Sequence, residues 1–222
     1  MIRPFGEAAL LVETGSAQRA QELAGVLRED SIDGVTAGVP GLESLLVELD
    51  PLVAQADAEA VRGELERRLG LPAAVLGPGR VRSIPVVYGS EMGPDLPEVA
   101  ALTGMSEAEV AERHAAADLR VLFDGFAPGF AYLGELPAEL RVPRLAKPRT
   151  RTPAGSVAIA GAMSGVYPAA LPGGWRVIGR TPAVLFDPLR DPPTYLVPGD
   201  RVWFDPIDRA RWEERAGPPE DW

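Results

Sequence analysis

At 222 residues the chain has room for one large domain or two small ones, and an apolar content of 46 % supplies an ordinary core. A net charge of −10 argues against a nucleic-acid partner; the absence of cysteine excludes disulfides, thiolate metal sites and thiol nucleophiles, and a single histidine excludes a histidine-rich metal site. The start, MIRPFGEAALLVE, lacks the pattern of a signal peptide and no apolar run is long enough to span a bilayer, so the reading is a cytoplasmic protein without membrane contact.

In chain order, a first strand is expected around Ala8–Glu13, then a turn at Thr14-Gly15-Ser16 with a candidate N-cap. From Ala17 to Glu29, Ala20, Leu23, Ala24 and Leu27 recur at helical spacing. Val35–Val39 and Ser44–Leu49 read as strands around the Pro40-Gly41 turn. Asp57 is expected to cap a second helix with Val61, Leu65 and Leu69 on one face and Gly70 as its stop, and Ala73–Leu76 is a candidate last strand. Two helices over one face of a small antiparallel sheet make a ferredoxin-like arrangement for residues 1–79, with the hinge at Leu76-Gly77-Pro78-Gly79.

The second domain, 80–214, opens with a strand over Ser83–Tyr88. Asp95…Glu98 and Ser106…Glu109 both read as capping boxes, and each starts a short helix; Met105 and Val110 occupy the positions of a hydrophobic staple. Beyond Asp118 only short β-like runs are expected: Arg120–Phe123, Val157–Ala160, Arg176–Ile178, Ala183–Phe186 and Arg201–Phe204. Strands this short, divided by turns such as Pro172-Gly173-Gly174, suggest a closed barrel or a sandwich, so the fold class is α+β. The polar tail 215–222 is expected to be loose.

The stretch Phe123–Pro182 carries most of the chemistry. Arg141, Arg144, Lys147, Arg149 and Arg151 form a run of positive charge without an acidic residue, and Lys147 is the only lysine in the chain. Guanidinium groups bind phosphate or carboxylate bidentately, so this loop is a candidate anion site, set against a solvated basic loop or a patch for an acidic partner. Ser156 and Arg180 join Arg144, Lys147, Arg149 and Arg151 as candidate anion-binding residues. No Gly-Lys-Ser/Thr is present, so the loop is not a Walker A motif. Phe126, Phe130, Tyr132, Tyr167 and Trp175 are candidates for a pocket or a subunit interface. His114 is the default general acid/base, against the alternative of a histidine favoured by a helix C-terminus. Asp124 reads as a turn residue or a functional carboxylate.

Several blocks carry a family resemblance: IPVVYGSEMGPDLPEVA (84–100), GFAPGFAYLGELP (125–137), PRLAKPRTRTPAGSVAIAG (143–161), GVYP (165–168) and PGGWRVIGRTP (172–182). They resemble the B subunit of bacterial ATP-dependent 5-oxoprolinase, a family also known as KipI-type or allophanate hydrolase subunit 1. It is similar to part of the carboxyltransferase domain of urea carboxylase. The resemblance implies a ferredoxin-like domain followed by a cyclophilin-like barrel. It implies two partners, the C subunit (KipA-type, or allophanate hydrolase subunit 2) and the A subunit of 5-oxoprolinase. It implies ATP as co-substrate, with Mg held by its phosphates and no metal site made by protein alone. The implied activity is activation of 5-oxoproline, by phosphorylation of its amide oxygen, for ring opening to glutamate; the chain by itself is expected to be inactive. Alternatives are a component of a urea- or allophanate-related amide hydrolase, and a KipI-like inhibitor of a sensor histidine kinase. Relative to the family pattern, Met163 and Ser164 replace a glutamine and a threonine, Leu119 replaces a tyrosine, and Asp124 replaces an apolar residue.

Overall fold

The computed structural model describes residues 1–70 and 79–222, with the side chains of 53–57 outside the description. The strand expected over Ala73–Leu76 and the hinge residues Leu76, Gly77 and Pro78 lie outside the described residues. The chain forms two compact units, Met1–Gly77 and Pro78–Trp222.

In the first unit the order is β1 (Ile2–Pro4), β2 (Ala9–Glu13), α1 (Ala17–Glu29), β3 (Val35–Pro40), β4 (Ser44–Leu49) and α2 (Pro51–Leu69). The strands make one antiparallel sheet in the order β1-β2-β4-β3. Ser16 caps α1, its hydroxyl accepting from Arg19 N at 3.2 Å, and Ala20, Leu23, Ala24 and Leu27 are all buried. The second helix starts earlier than its expected cap at Asp57. Asp50 accepts from Leu52 N at 2.8 Å and Pro51 takes the first turn, where its missing N–H costs nothing. The first expected strand forms as β2, and β1, an unexpected strand, pairs with it antiparallel, so residues 2–13 make a hairpin.

The second unit holds β5 (Val81–Tyr88), α3 (Leu96–Thr103), α4 (Glu107–Ala115), β6 (Leu119–Asp124), β7 (Ala131–Gly134), β8 (Arg149–Thr152), β9 (Ser156–Ala160), β10 (Met163–Val166), β11 (Leu171–Gly173), β12 (Arg176–Arg180) and β13 (Arg201–Pro206). Seven strands close into a barrel in the order β10-β7-β6-β13-β5-β12-β9, consistent with a cyclophilin-like barrel; β8 and β11 pair separately as a ribbon. Ala183 and Phe186 make only isolated bridges, so the strand expected over Ala183–Phe186 does not form.

The Ser106–Glu109 capping box is complete, with both reciprocal bonds made. Asp95 does not cap α3: its carboxylate accepts from Arg149 Nη2 at 2.5 Å and Val177 N at 2.7 Å. The tail expected to be loose is tied down. Asp221 accepts from buried Arg82 Nη1 and from Tyr195 at 2.8 Å each, and the Trp222 indole donates to Pro192 O at 3.0 Å.

Alternation along the barrel strands makes two apolar layers. Val157 and Ile159 of β9 face the main core with Ile84, Leu133 and Ile178. Ala158 and Ala160 face the other way, joining Phe130, Tyr167, Trp175 and Val177. This second, aromatic layer positions the site described next.

Candidate functional site

The five aromatic residues singled out in the sequence converge. Phe126, Phe130, Tyr132, Tyr167 and Trp175 line one open cleft of about 290 Å³, together with Pro148, Pro172, Gly173 and Gly174, and Arg144 is the only charged residue among its described lining. Phe130 is the hub. It meets Phe126, Tyr167, Tyr132 and Trp175 edge-to-face at centroid distances of 5.4, 5.4, 5.0 and 5.6 Å, the geometry the ring quadrupoles favour. Phe130, Tyr167 and Trp175 are buried as the base, while Phe126 is 58 % exposed at the mouth.

Small residues make this packing feasible. A Cβ on Gly165 would come within 2.9 Å of Phe130 and 3.3 Å of Trp175. A Cβ on Gly173 would strike the Tyr167 phenol. The glycines beside aromatics in the sequence are therefore close-approach positions, and the Pro172-Gly173-Gly174 turn signal belongs to the cleft wall.

Arg144 lies with its guanidinium carbon 5.9 Å from the Trp175 ring centroid, within cation–π range. Its charge also acts on Tyr132 and Tyr167, lowering their phenol pKa values against the upward push of burial, which dominates both. Arg144, Lys147 and Arg151 have no ion-pair partner among the described residues and are exposed. The rest of the basic run is spent on the fold. Arg141 donates to Leu136 O and Glu135; Arg149 is committed to Asp95. Arg176 donates to Pro143 O at 2.8 Å, pinning the loop from the β12 side, and its Nη1 lies 2.5 Å from Glu98 Oε2 as an ion pair without hydrogen-bond alignment. Arg180 donates to Ala154 O at 2.8 Å and lies over Trp212. Ser156 is buried in β9 with its hydroxyl unpartnered.

His114 lies away from these groups in what it contacts. It is fully buried, stacked on Phe204 at 4.6 Å, with Nδ1 2.8 Å from the Tyr88 hydroxyl and Nε2 2.8 Å from the Ser164 hydroxyl. Ser164 donates to Ala158 O, so the consistent tautomer has Nε2–H donating to Ser164 and Nδ1 accepting from Tyr88. Burial pushes the imidazole down to about 3. A neutral, doubly bonded, solvent-free ring is a core polar link, so the geometry departs from the expected acid/base role. Ser164, noted as a departure from the family pattern, retains the hydroxyl this link requires.

Asp124 ends β6 as an exposed residue; surrounding chain strips enough water from its carboxyl, with Asp200 adding repulsion, to push it up to about 6. No group of three or more His, Asp or Glu able to hold a metal occurs among the described residues, and no helix there is long and apolar enough to cross a membrane.

Comparison with known proteins places this architecture. The carboxyltransferase domain family, subdomains C and D, matches residues 1–196. The B subunit of 5-oxoprolinase from Escherichia coli O157:H7 is 44 % identical over 209 residues, covering 91 % of this chain and 94 % of that protein. Its counterpart from Bacillus subtilis (strain 168), also a 5-oxoprolinase B subunit, is 38 % identical over 218 residues, covering 91 % of both. Among solved structures, TTHA0988 superposes with a TM-score of 0.79 at 36 % identity; the match takes in 99 % of this chain but only 41 % of that longer one. The Kluyveromyces lactis urea carboxylase superposes with a TM-score of 0.77 at 20 % identity, over 96 % of this chain and 22 % of that one, which is a likeness of fold. The chain belongs to the family of 5-oxoprolinase B subunits (KipI-type), built on the carboxyltransferase subdomains C and D.

Proposed function

We propose that this chain is the B subunit of a cytoplasmic, ATP-dependent 5-oxoprolinase and works with the C and A subunits to open 5-oxoproline to glutamate. In fold terms we read the first unit as ferredoxin-like, with β1 in the edge position beside β2. The observation that carries the functional reading is the cleft. It joins aromatic walls to one unpaired guanidinium in a protein whose relatives are named for a small cyclic acid.

A lactam is a poor electrophile because its nitrogen delocalises into the carbonyl. Phosphorylation of the amide oxygen by ATP, with ADP leaving, ends that delocalisation; water then adds to the ring carbon, the C–N bond breaks with the nitrogen taking up a proton, and hydrolysis of the acyl phosphate left behind releases phosphate and glutamate. The demands on protein are positioning and charge stabilisation. In this chain the cleft would hold and orient the ring acid and exclude water from its face. Lys147 and Arg151, unpaired and exposed, are the side chains left to meet phosphate oxygens, with Mg²⁺ carried on those oxygens. Arg149, Arg180 and Ser156 would support the loop and the barrel wall. The cleft sits at the small end of the ~300–1,000 Å³ range of ligand pockets, too small for a nucleoside triphosphate, so the remainder of an ATP site would come from the C subunit.

The test is ATP hydrolysis by this chain co-purified with its C subunit, with and without 5-oxoproline. Stimulation by 5-oxoproline, and near-inactivity of the chain by itself, are expected. A complex whose ATP turnover ignores 5-oxoproline refutes the proposal.

A further inference from the structure

We infer that Arg144 and Phe126 are the specificity-determining pair of the cleft, selecting a small ring that carries a single carboxylate, and that this selection is made by the chain itself before ATP or a partner is present. The inference rests on the reading of the cleft as the substrate-holding part of the chain.

Charge comes first. Among the described residues Arg144 is the only charged one lining the cleft, and none of the lining residues is acidic. One guanidinium beside two neutral phenols suits one negative charge. A phosphate dianion would leave charge uncompensated against aromatic walls. Its guanidinium carbon lies 5.9 Å from the Trp175 ring centroid, and its N–H groups, without an ion-pair partner among the described residues, are free to meet a carboxylate as a fork. A loop with Pro143 and Pro148 on either side, pinned by Arg176 through Pro143 O, limits how far Arg144 can swing.

Shape comes second. Walls of Phe126, Tyr132 and Trp175 at this volume favour a compact, flat ring over an extended chain.

Strain is the third, independent observation. Phe126 has φ +65°, the left-handed region that bulky residues rarely adopt, and it is 58 % exposed. A phenylalanine that is both strained and exposed costs stability without filling a core, and such outliers cluster at ligand clamps. Its turn is closed by Ala127 N to Gly125 O at 2.7 Å and Phe130 N to Ala127 O at 3.0 Å, so the backbone is built to hold this ring at the mouth. Glycine would satisfy the same backbone without strain. The side chain is the part with a purpose.

The experiment titrates the isolated full chain, without ATP or partner, with L-5-oxoproline, with 2-pyrrolidinone (the same ring without the carboxylate), with inorganic phosphate and with ATP, by calorimetry or NMR. Binding is expected for 5-oxoproline and much weaker binding for the other three. Arg144→Gln should weaken 5-oxoproline about 10- to 100-fold, the range for losing a charge-assisted hydrogen bond, and Arg144→Lys should restore part of it. Phe126→Gly should weaken binding about 10-fold while leaving the thermal midpoint unchanged or raised, because the strain is relieved. Equal binding of 2-pyrrolidinone, unaltered binding by Arg144→Gln, or a Phe126→Gly variant that loses stability but keeps affinity would each overturn the inference. So would absence of binding by the isolated chain, and that failure is separate from the ATPase test of the complex.

Discussion

Asp95 offers the most quantitative check on how the cleft is held. Its side chain is 7 % exposed and its carboxylate ties two strands at once: Arg149 of β8 at 2.5 Å and Val177 N of β12 at 2.7 Å. Asp95→Ala orphans the Val177 amide, which costs about 1–3 kcal/mol when buried. It also leaves Arg149 without its partner. Breaking a fully buried pair costs about 3–5 kcal/mol, but the Arg149 side chain is 31 % exposed, so water recovers much of that and about 1–2 kcal/mol remains. The sum is about 3 kcal/mol, or a fall of about 6–12 °C in the midpoint of a unit this size. Asp95→Asn keeps an acceptor for Val177 and loses only the charge, about 1 kcal/mol. Urea denaturation followed by tryptophan fluorescence reads both, with the transitions of the two units fitted separately. A loss under about 1 kcal/mol for the alanine variant, or equal losses for the two, would refute the reasoning. Since β12 begins beside Trp175, the alanine variant should also weaken ligand binding in the cleft.

The other predictions follow from single residues. His114 is held at about 3, below its ordinary 6.5, so the folded state binds fewer protons than the unfolded between these values. Stability is then full above pH 6.5 and falls on acidification, by up to ~1.4 kcal/mol per pH unit. His114→Leu should flatten that slope in urea titrations between pH 4 and 6.5, and an unchanged slope would show that another group carries it. Gly173→Ala should distort the cleft by pushing on the Tyr167 phenol, lowering ligand affinity more than it lowers stability; unaltered affinity would mean the ribbon yields freely. In the complex, Lys147→Ala and Arg151→Ala should raise the KM for ATP with the midpoint of unfolding unchanged, whereas Arg149→Ala should lower that midpoint. The reverse pattern would reassign these cations.

The helices and long strands are legible where local chemistry decides them. Ser16 and the Ala20–Leu27 stripe specify α1, and Ser106 with Glu109 specifies α4. Asp95 misleads because a carboxylate three residues before Glu98 has the spacing of a cap, yet long-range partners on β8 and β12 claim it. The start of α2 is written in Asp50-Pro51, but Asp57 offers a second cap signal within the same helix. Strands β7, β8, β10 and β11 escape the sequence reading: each is three or four residues long, too short for alternation to register, and each is defined by its neighbour across the sheet. At the site, the aromatic and glycine residues stand out as a set because close packing demands that pairing. What sequence cannot divide is the basic run. Arg144, Lys147 and Arg151 remain without ion-pair partners among the described residues, while Arg141 and Arg149 are consumed by Glu135 and Asp95, partners that only folding brings near. His114 misleads for a related reason: an isolated histidine at a helix end gives no sign of the Tyr88 and Ser164 hydroxyls that hold it neutral.

The central claim is that this chain supplies the B component of a 5-oxoproline-opening, ATP-consuming assembly. The direct measurement is glutamate formed from 5-oxoproline by its A and C subunits with ATP and Mg²⁺, with and without this chain. Turnover is expected only when the chain is added, with sharply reduced turnover at low 5-oxoproline when Arg144→Gln replaces it. Equal glutamate formation in the absence of this chain, or none when all three components are present, would contradict it.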